Sequence, residues 1–320
     1  MIEIESLHKR YGKRAALENF SLRVETGELF GIVGPNGAGK TTLIKILATL
    51  QEPDSGRARI NDLDVVAAPA SVRAVLGYLP DVPGLYQDMR VEEFLEFFAD
   101  AFHLHGTRRR QAVDRALERA GLASRRNDFV EQLSFGMKQR LILAKTLLHE
   151  PKVLLLDEPA TGLDPLARVE LRELLKQLNR EGLTIFLSSH ILSDLEDICT
   201  RVALIAGGRN AAGADGQSVV TLSGGTASAP PGSLVACEIE IVGDTQVAAQ
   251  AAGAVPGARV VSSEGRRLCL ELPGGIAQGT PVLQALLAAG ITVVHFDARG
   301  PGLEERYRQA FGAQKPEAQP

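Results

Sequence analysis

The chain has 320 residues and a formal net charge of −4, so its length favours about two domains and it lacks the basic charge typical of DNA-binding domains. No nucleic acid partner is therefore expected. No apolar stretch approaches the ~18 residues that a membrane-spanning helix needs, and the first residues lack signal-peptide features, so we predict a cytoplasmic protein. The three cysteines, Cys199, Cys237 and Cys269, have no metal-ligand spacing, which favours reduced thiols.

The first segments of the chain alternate apolar and polar residues. Residues 2–8 and 16–24 follow this pattern, which is typical of half-buried antiparallel strands. The run from Glu28 to Val33 is apolar after its first residue and predicts a buried strand. Apolar residues at helical spacing then predict a helix from Thr41 to Leu50.

A glycine-rich loop joins this strand to this helix. Its three glycines let backbone amides turn inward at the positive end of the helix, where such amides bind phosphate. Lys40 is expected to reach the β- and γ-phosphates of a nucleotide, and the Thr41 hydroxyl is expected to ligate Mg²⁺. The predicted P-loop comprises Gly34, Pro35, Asn36, Gly37, Ala38, Gly39, Lys40, Thr41 and Thr42.

Two further buried strands follow a mostly helical stretch from residue 91 to residue 149. Val153–Leu156 and Leu183–Leu187 are short apolar runs of the kind buried on both faces, which predicts a parallel core sheet. Asp157 and Glu158 directly follow the first run, at the sheet edge where α/β proteins place ligands. We expect Asp157 to hold Mg²⁺ through water and Glu158 to act as general base toward the attacking water.

A change in composition marks a second domain. Residues 214–232 are rich in Gly, Ala and Ser and predict a linker after a first domain of residues 1–213. The pattern from 233 to 312 predicts a small α+β domain of order βαββαβ, which is ferredoxin-like. Its predicted strands are 234–242, 258–263, 267–272 and 291–296, and its helices 245–253, 281–289 and 303–311. Residues 313–320 are predicted to be a disordered tail.

Further motifs occur in a fixed order within the first domain. Leu133–Met137 is similar to the LSGGQ signature, Ala160–Asp164 to a D-loop, and Ser188–His190 to a switch-histidine segment. Tyr11 matches an aromatic residue that stacks on adenine. Together with the P-loop, this ordered set makes the first domain resemble the ATP-binding subunit of ABC transporters.

The resemblance implies an α/β P-loop cassette with a mixed core sheet, an antiparallel β subdomain and a helical subdomain at about 82–149. It also implies ATP and Mg²⁺ as ligands, His190 as a γ-phosphate contact and Asp164 as part of the nucleotide site. Ser134 alone predicts only a helix N-cap. In the family, however, the signature, here Ser134 and the Gly136 amide, faces the P-loop of a second subunit. Two copies are therefore expected to hold two ATP molecules in a head-to-tail dimer.

Two departures from the family pattern concern the reaction. Asp81 stands where a glutamine usually follows the Gly77–Pro80 segment. A carboxylate there can still ligate Mg²⁺, and we assign Asp81 to the metal and catalytic sites, with Gln87 as the alternative if the loop takes another path. In the signature, Phe135 replaces a glycine and Met137 a glutamine, while the serine and the second glycine are retained, so ATPase activity is expected.

The resemblance predicts an ATPase, peripheral on the inner face of the cell membrane, that drives a separate membrane-spanning permease. One cassette followed by a small domain resembles export ATPases for drug, polysaccharide or lipid-linked cargo. Two alternatives stay open: a soluble ABC ATPase that acts on nucleic acid or ribosomes, and a cassette gated by a C-terminal sensor domain. The aromatic residues Phe94, Phe97 and Phe98 belong either to the core or to the permease interface.

Overall fold

A computed structural model describes residues 1–82, 84–211, 219–222, 234–273 and 279–299, together with Tyr307. The chain divides into two units. The first comprises Met1–Ala212 and Ser218–Thr221, and the second comprises the remainder.

The first unit alternates strands and helices along most of its length. Its elements in chain order are β1 (Ile2–Tyr11), β2 (Arg14–Val24), β3 (Leu29–Val33), α1 (Lys40–Leu47), β4 (Ser55–Ile60), β5 (Leu63–Asp64), α2 (Pro69–Val75), β6 (Leu76–Leu79), α3 (Val91–Ala101), α4 (Gly106–Arg119), α5 (Phe135–Leu147), β7 (Val153–Leu156), α6 (Pro165–Arg180), β8 (Thr184–Ser189), α7 (Leu192–Glu196), β9 (Arg201–Ala206), β10 (Arg209–Asn210) and β11 (Val219–Thr221).

A mixed sheet of order β10-β9-β3-β8-β7-β6, with β11 also paired to β9, forms the centre of this unit. The pairs β3/β8, β3/β9, β7/β8 and β6/β7 are parallel. Every residue of β3, β7 and β8 is buried, which explains their continuous apolar runs, because helices cover both faces of a parallel sheet. Since the strands run in one direction, the segments that follow β3, β6, β7 and β8 emerge at one edge. The predicted parallel core is confirmed.

A second sheet of order β2-β1-β4-β5 is antiparallel and matches the alternating pattern at the start of the chain. Between the two sheets lies a core that includes Phe20, Phe30, Ile44 and Phe186, all fully buried. The helices α3, α4 and α5 share another core, to which Phe94, Leu117 and Leu141 contribute. These three parts are the ones that the resemblance implies for the cassette.

Several element boundaries differ from the predictions by a few residues, and two of the differences have a clear physical reason. Helix α1 ends at Leu47 rather than Leu50, because Thr49 has a left-handed φ of 60°, and Leu50 is 60% exposed. Within the predicted linker, residues 219–221 form β11, which pairs antiparallel with β9 and buries Val220. Two consecutive valines favour extended backbone, and they extend the edge of the sheet here.

The second unit contains β12 (Leu234–Val242), α8 (Thr245–Gly253), β13 (Arg259–Glu264), β14 (Arg267–Pro273), α9 (Gly279–Ala288) and β15 (Thr292–Arg299). This is the order βαββαβ that the sequence predicts, and its strands form an antiparallel sheet of order β13-β14-β12-β15. Ile239, Leu270 and Leu286 are among the residues of its core. Apart from Tyr307, the predicted helix 303–311 and the predicted tail lie outside the described residues.

Candidate active site

A cleft of ≈580 Å³ lies where the P-loop and the ends of the parallel strands meet. This is within the range of roughly 300–1,000 Å³ that small-molecule sites occupy. Arg14, Ala16 and Thr161 line it although the sequence did not single them out. The predicted site residues that line it are Tyr11, Asn36, Gly37, Ala38, Gly39, Lys40, Thr41, Thr42, Asp81, Glu158 and His190.

The P-loop requires glycine because of both its backbone angles and its close packing. Gly39, the N-cap of α1, has φ 113°, and a Cβ at this position would collide with the carbonyl oxygen of Ala16. Gly37 has φ 78°, again in the left-handed region. Because the first turn of a helix leaves its N–H groups without intrahelical partners, the loop and α1 can offer these donors to an anion in the cleft.

Lys40 places a buried ammonium group between the loop and a carboxylate. Its Nζ donates hydrogen bonds to the carbonyl oxygens of Gly34 (2.7 Å) and Pro35 (3.4 Å). The same atom lies 3.3 Å from Glu158 Oε1. Gly34 and Pro35 thus contribute to the site through their backbone rather than by lining the cleft.

Asp157 lies beneath the cleft and is almost fully buried. The Ser188 hydroxyl donates to Asp157 Oδ1 (2.7 Å) and accepts from the backbone N–H of Glu158 (2.9 Å). Asp157 Oδ2 is buried without a hydrogen-bond partner among the described residues. Burial raises the pKa of Asp157, although the nearby hydroxyl groups of Ser188 and Thr41 oppose the rise. An unpaired carboxylate oxygen close to the Thr41 hydroxyl suits a hard cation such as Mg²⁺, which prefers oxygen ligands.

Glu158 is held in one orientation by several contacts. Its Oε2 lies 2.7 Å from His190 Nδ1, accepts the His190 backbone N–H (3.3 Å) and accepts the Thr161 hydroxyl (3.4 Å). An ionised carboxylate can only accept, so Nδ1 of His190 carries the proton in this contact. Glu158 also has a left-handed φ of 50°, which is a strained conformation for a non-glycine residue. These bonds fix the carboxylate at the cleft.

Besides Gly34, Pro35 and Asp157, three more predicted site residues do not line the cleft. Ser134 caps α5 and accepts the N–H of Met137 (3.3 Å), and Asp164 caps α6 and accepts the N–H of Ala167 (2.9 Å). Gly136 lies against α6, where a Cβ on it would be 2.7 Å from the Cβ of Ala167. The beginnings of α5 and α6 therefore form a second group of predicted site residues, packed against each other.

The remaining predictions concern the rim of the cleft. Tyr11 is 49% exposed, and its hydroxyl donates to Gln51 Oε1 (2.5 Å). Asp81 lines the cleft and Gln87 does not, so the loop presents the carboxylate rather than the alternative glutamine. Sequence reasoning missed the bridging role of Ser188, although a serine near the end of an apolar strand, two residues before a histidine, was a visible signal.

No helix within the described part of the chain is both long enough and apolar enough to cross a bilayer.

Comparison with known proteins identifies the family. The model of the ABC transporter family matches residues 17–161. The chain is 40% identical over 208 residues to the daunorubicin resistance ATP-binding protein DrrA3 of Streptomyces coeruleorubidus, a match that covers 65% of this chain and 66% of that protein. It is 34% identical over 311 residues to DrrA2 of the same organism, which covers 97% of this chain and 95% of DrrA2. The chain belongs to the ATP-binding proteins of ABC transporters.

Solved structures of ABC cassettes share the fold of the first unit. The dimeric structure of MJ0796, a bacterial ABC transporter cassette, matches with a TM-score of 0.61 at 26% identity and covers 70% of this chain and 100% of that one. The predicted ABC cassette fold and ATPase class are thereby confirmed. The chain is an ATP-binding and ATP-hydrolysing ABC subunit whose activity drives transport.

The burial of Asp157 has a consequence for stability. A carboxyl whose pKa is raised on folding favours the folded state fully only below its unfolded pKa, and this contribution is lost as pH rises through the folded value. The pKa of Asp157 is raised above 3.8, so its ionised form destabilises the ligand-free ABC subunit at neutral pH. We expect Asp157→Asn to raise the free energy of unfolding at neutral pH and to lose this advantage near pH 4.

Urea unfolding of the full chain without nucleotide or Mg²⁺, at neutral pH and at about pH 4, measures this difference. Asp88→Asn is the matched control, because Asp88 is exposed and is expected to change stability little at either pH. An Asp157→Asn protein that is no more stable than the parent at neutral pH would contradict the prediction.

Proposed function

We propose that this ABC ATPase drives export of an apolar, drug-like cargo through a separate permease, working as two copies at the cytoplasmic face of the membrane. The end-to-end match with DrrA2 carries the proposal, because it includes the second unit as well as the cassette. DrrA2 and DrrA3 are named for resistance to daunorubicin. Resistance to a toxic compound is what outward transport of that compound would provide.

The separation of the site residues supports two copies. The cleft contains the P-loop, Lys40 and Glu158, whereas Ser134 and Gly136 lie in the second group at the starts of α5 and α6. A cassette of this fold has been solved as a dimer. In the proposed assembly, Ser134 of the partner subunit and the amide two residues later face the nucleotide bound at the P-loop, since a helix N-terminus attracts phosphate.

Within each cleft we assign the roles as follows. The P-loop amides and Lys40 bind the phosphates, and the Tyr11 ring stacks on adenine. Thr41, Asp157 and Asp81 hold Mg²⁺, which when bound neutralises phosphate charge. Glu158 accepts the proton of the attacking water, and His190, with its proton at Nδ1, orients that carboxylate. Buried Asp157 Oδ2 supports the metal assignment, because it needs a partner.

Two exposed aromatic rings support a docking site for the permease. Tyr86 is 51% and Phe97 49% exposed, and their ring centroids lie 5.6 Å apart. Phe94 and Phe98 lie beneath them, the first fully buried, so the aromatic stripe is divided between core and surface. Exposed aromatics are suited to bind an apolar segment of a partner, and Tyr86 belongs to the same segment between β6 and α3 as Asp81, so movement of the partner can reach the cleft through this segment.

Phe97→Ala is expected to reduce co-purification with the permease by about tenfold or more, because an aromatic anchor is commonly worth 2 kcal/mol or more. Basal ATP turnover of the isolated chain should be unchanged, since Phe97 does not line the cleft. The amount of permease that co-purifies with each variant from solubilised membranes measures the first effect. Val66→Ala, which removes an equally exposed apolar side chain elsewhere, is the control. The docking site would be contradicted if both variants lost co-purification with the permease equally, or if neither variant lost it.

Purification of the Glu158→Gln chain from solubilised membranes in the presence of ATP tests the function itself. We expect a membrane-spanning protein to be recovered together with a second copy of the chain. In a separate assay, cells in which the gene for this chain is deleted should accumulate more daunorubicin than the parent cells. Recovery of ribosomal or DNA-bound proteins alone would overturn the transport role. If a permease were recovered but daunorubicin accumulation were unchanged, the drug would be rejected as cargo. Polysaccharide or lipid-linked cargo would then remain.

A further inference from the structure

The hairpin that carries Tyr11 also carries an arginine that faces the same cleft. Strands β1 and β2 are joined by a two-residue turn with Gly12 at φ 56°, and Tyr11 pairs directly with Arg14 across the turn. Side chains of directly opposed residues lie on the same face of a hairpin, with Cβ atoms about 5 Å apart. Both residues line the cleft.

Arg14 reaches from the hairpin to the P-loop. Its Nη2 donates to the carbonyl oxygen of Gly37 (3.0 Å) and would lie 2.6 Å from a Cβ on that glycine, so the guanidinium rests against the loop. No acidic side chain among the described residues pairs with Arg14. A guanidinium has five N–H donors, and the hydrogen bond to Gly37 uses one of them.

Arg14 is the basic side chain of the cleft that has no acidic partner among the described residues, which leaves it available to an anion. The carboxylates of Asp81 and Glu158 line the cleft, while Lys40 is already engaged with Glu158. Arg14 is exposed at the rim between the Tyr11 ring and the loop amides. Phosphate oxygens match the planar fork of an arginine better than any other part of a nucleotide.

We infer that Arg14 binds the phosphate chain of the nucleotide and thereby sets its affinity. The inference rests on the proposed nucleotide site and adds to it a charged contact from the hairpin. Arg14 then connects the two parts of the site, since it pairs with Tyr11 in the hairpin and its side chain is hydrogen-bonded to Gly37 of the loop. Arg14 is a binding residue, so it acts on affinity more than on turnover.

Equilibrium binding of fluorescent ATP and ADP analogues to the full-length chain tests this. Arg14→Gln keeps an N–H donor for the Gly37 carbonyl but removes the charge, whereas Arg14→Lys keeps the charge. We expect Arg14→Gln to raise the Kd for both nucleotides about 5- to 20-fold and Arg14→Lys to raise it less than about threefold. Binding to Arg14→Gln should also depend less on salt concentration than binding to the parent chain.

Lys13→Gln is the matched control, because it removes a positive charge from the same turn at a residue that does not line the cleft. It should bind nucleotide as the parent does. The inference would be overturned if Arg14→Gln bound nucleotide with the affinity of the parent. It would also be overturned if both Arg14 variants weakened nucleotide binding equally with unchanged salt dependence. Arg14 would then only support the conformation of the loop. Failure of the parent chain itself to bind ATP would instead reject the proposed site.

Discussion

Glu158→Gln is expected to lower ATP turnover by about 10²- to 10⁴-fold while ATP binding is retained, because glutamine cannot accept the proton of the attacking water. The substitution keeps the shape of the side chain. The amide oxygen of glutamine can still accept the N–H at His190 Nδ1, which lies 2.7 Å from Glu158 Oε2 in the parent. The side chain should therefore keep its orientation. The measurement therefore reports the loss of the proton acceptor together with the loss of the ion pair to Lys40.

Phosphate release and nucleotide binding by the purified chain measure the two quantities separately. Glu52→Gln, an exposed glutamate outside the cleft, is the control and should turn over ATP at the parent rate. If Glu158→Gln hydrolysed ATP as fast as the parent, another group would have to be the base. That result would also remove the reason for using this variant to trap the ATP-bound assembly.

Phe186→Ala is expected to have the largest effect on stability, a loss of about 3–5 kcal/mol in the free energy of unfolding of the first unit. Phe186 on β8 stacks on Phe30 of β3, with ring centroids 5.9 Å apart, and both are fully buried. The pair joins the strand that precedes the P-loop to the strand that ends before His190. A cavity there weakens the link between both sides of the cleft.

Hydrogen exchange followed by mass spectrometry can assign this loss to β3 and β8 within the intact chain. Phe135→Ala removes the same number of atoms from a ring that is 57% exposed, so the stability change should stay within about 0.5 kcal/mol. Protection of the second unit should not change. Equal effects of the two substitutions, or a similar loss of protection across both units, would contradict a local core contribution.

Short-range patterns explain why much of this site could be predicted. The P-loop and the Asp157–Glu158 pair each follow a buried strand, and parallel strands must end at one edge of their sheet. Continuous apolar runs therefore indicated both the sheet and the position of its ligand. The order of elements in the second unit was likewise visible, because turn residues separate short patterned segments.

What could not be predicted depends on contacts between distant segments. Arg14 lines the cleft only because a two-residue turn sets it opposite Tyr11 and within reach of Gly37. Ser188 joins Asp157 and Glu158 only because β7 and β8 are neighbours. The early end of α1 reflects the left-handed Thr49, which no propensity indicates. The separation of the signature from the cleft was implied by family resemblance, not by spacing.

The contact between Gly136 and Ala167 has a mechanical consequence. With only hydrogen at the glycine and a methyl group at the alanine, the starts of α5 and α6 touch with no room for another carbon atom. Close packing of this kind transmits displacement instead of absorbing it. We therefore expect Ser134 and Asp164, at the starts of the two helices, to move together when either helix is displaced.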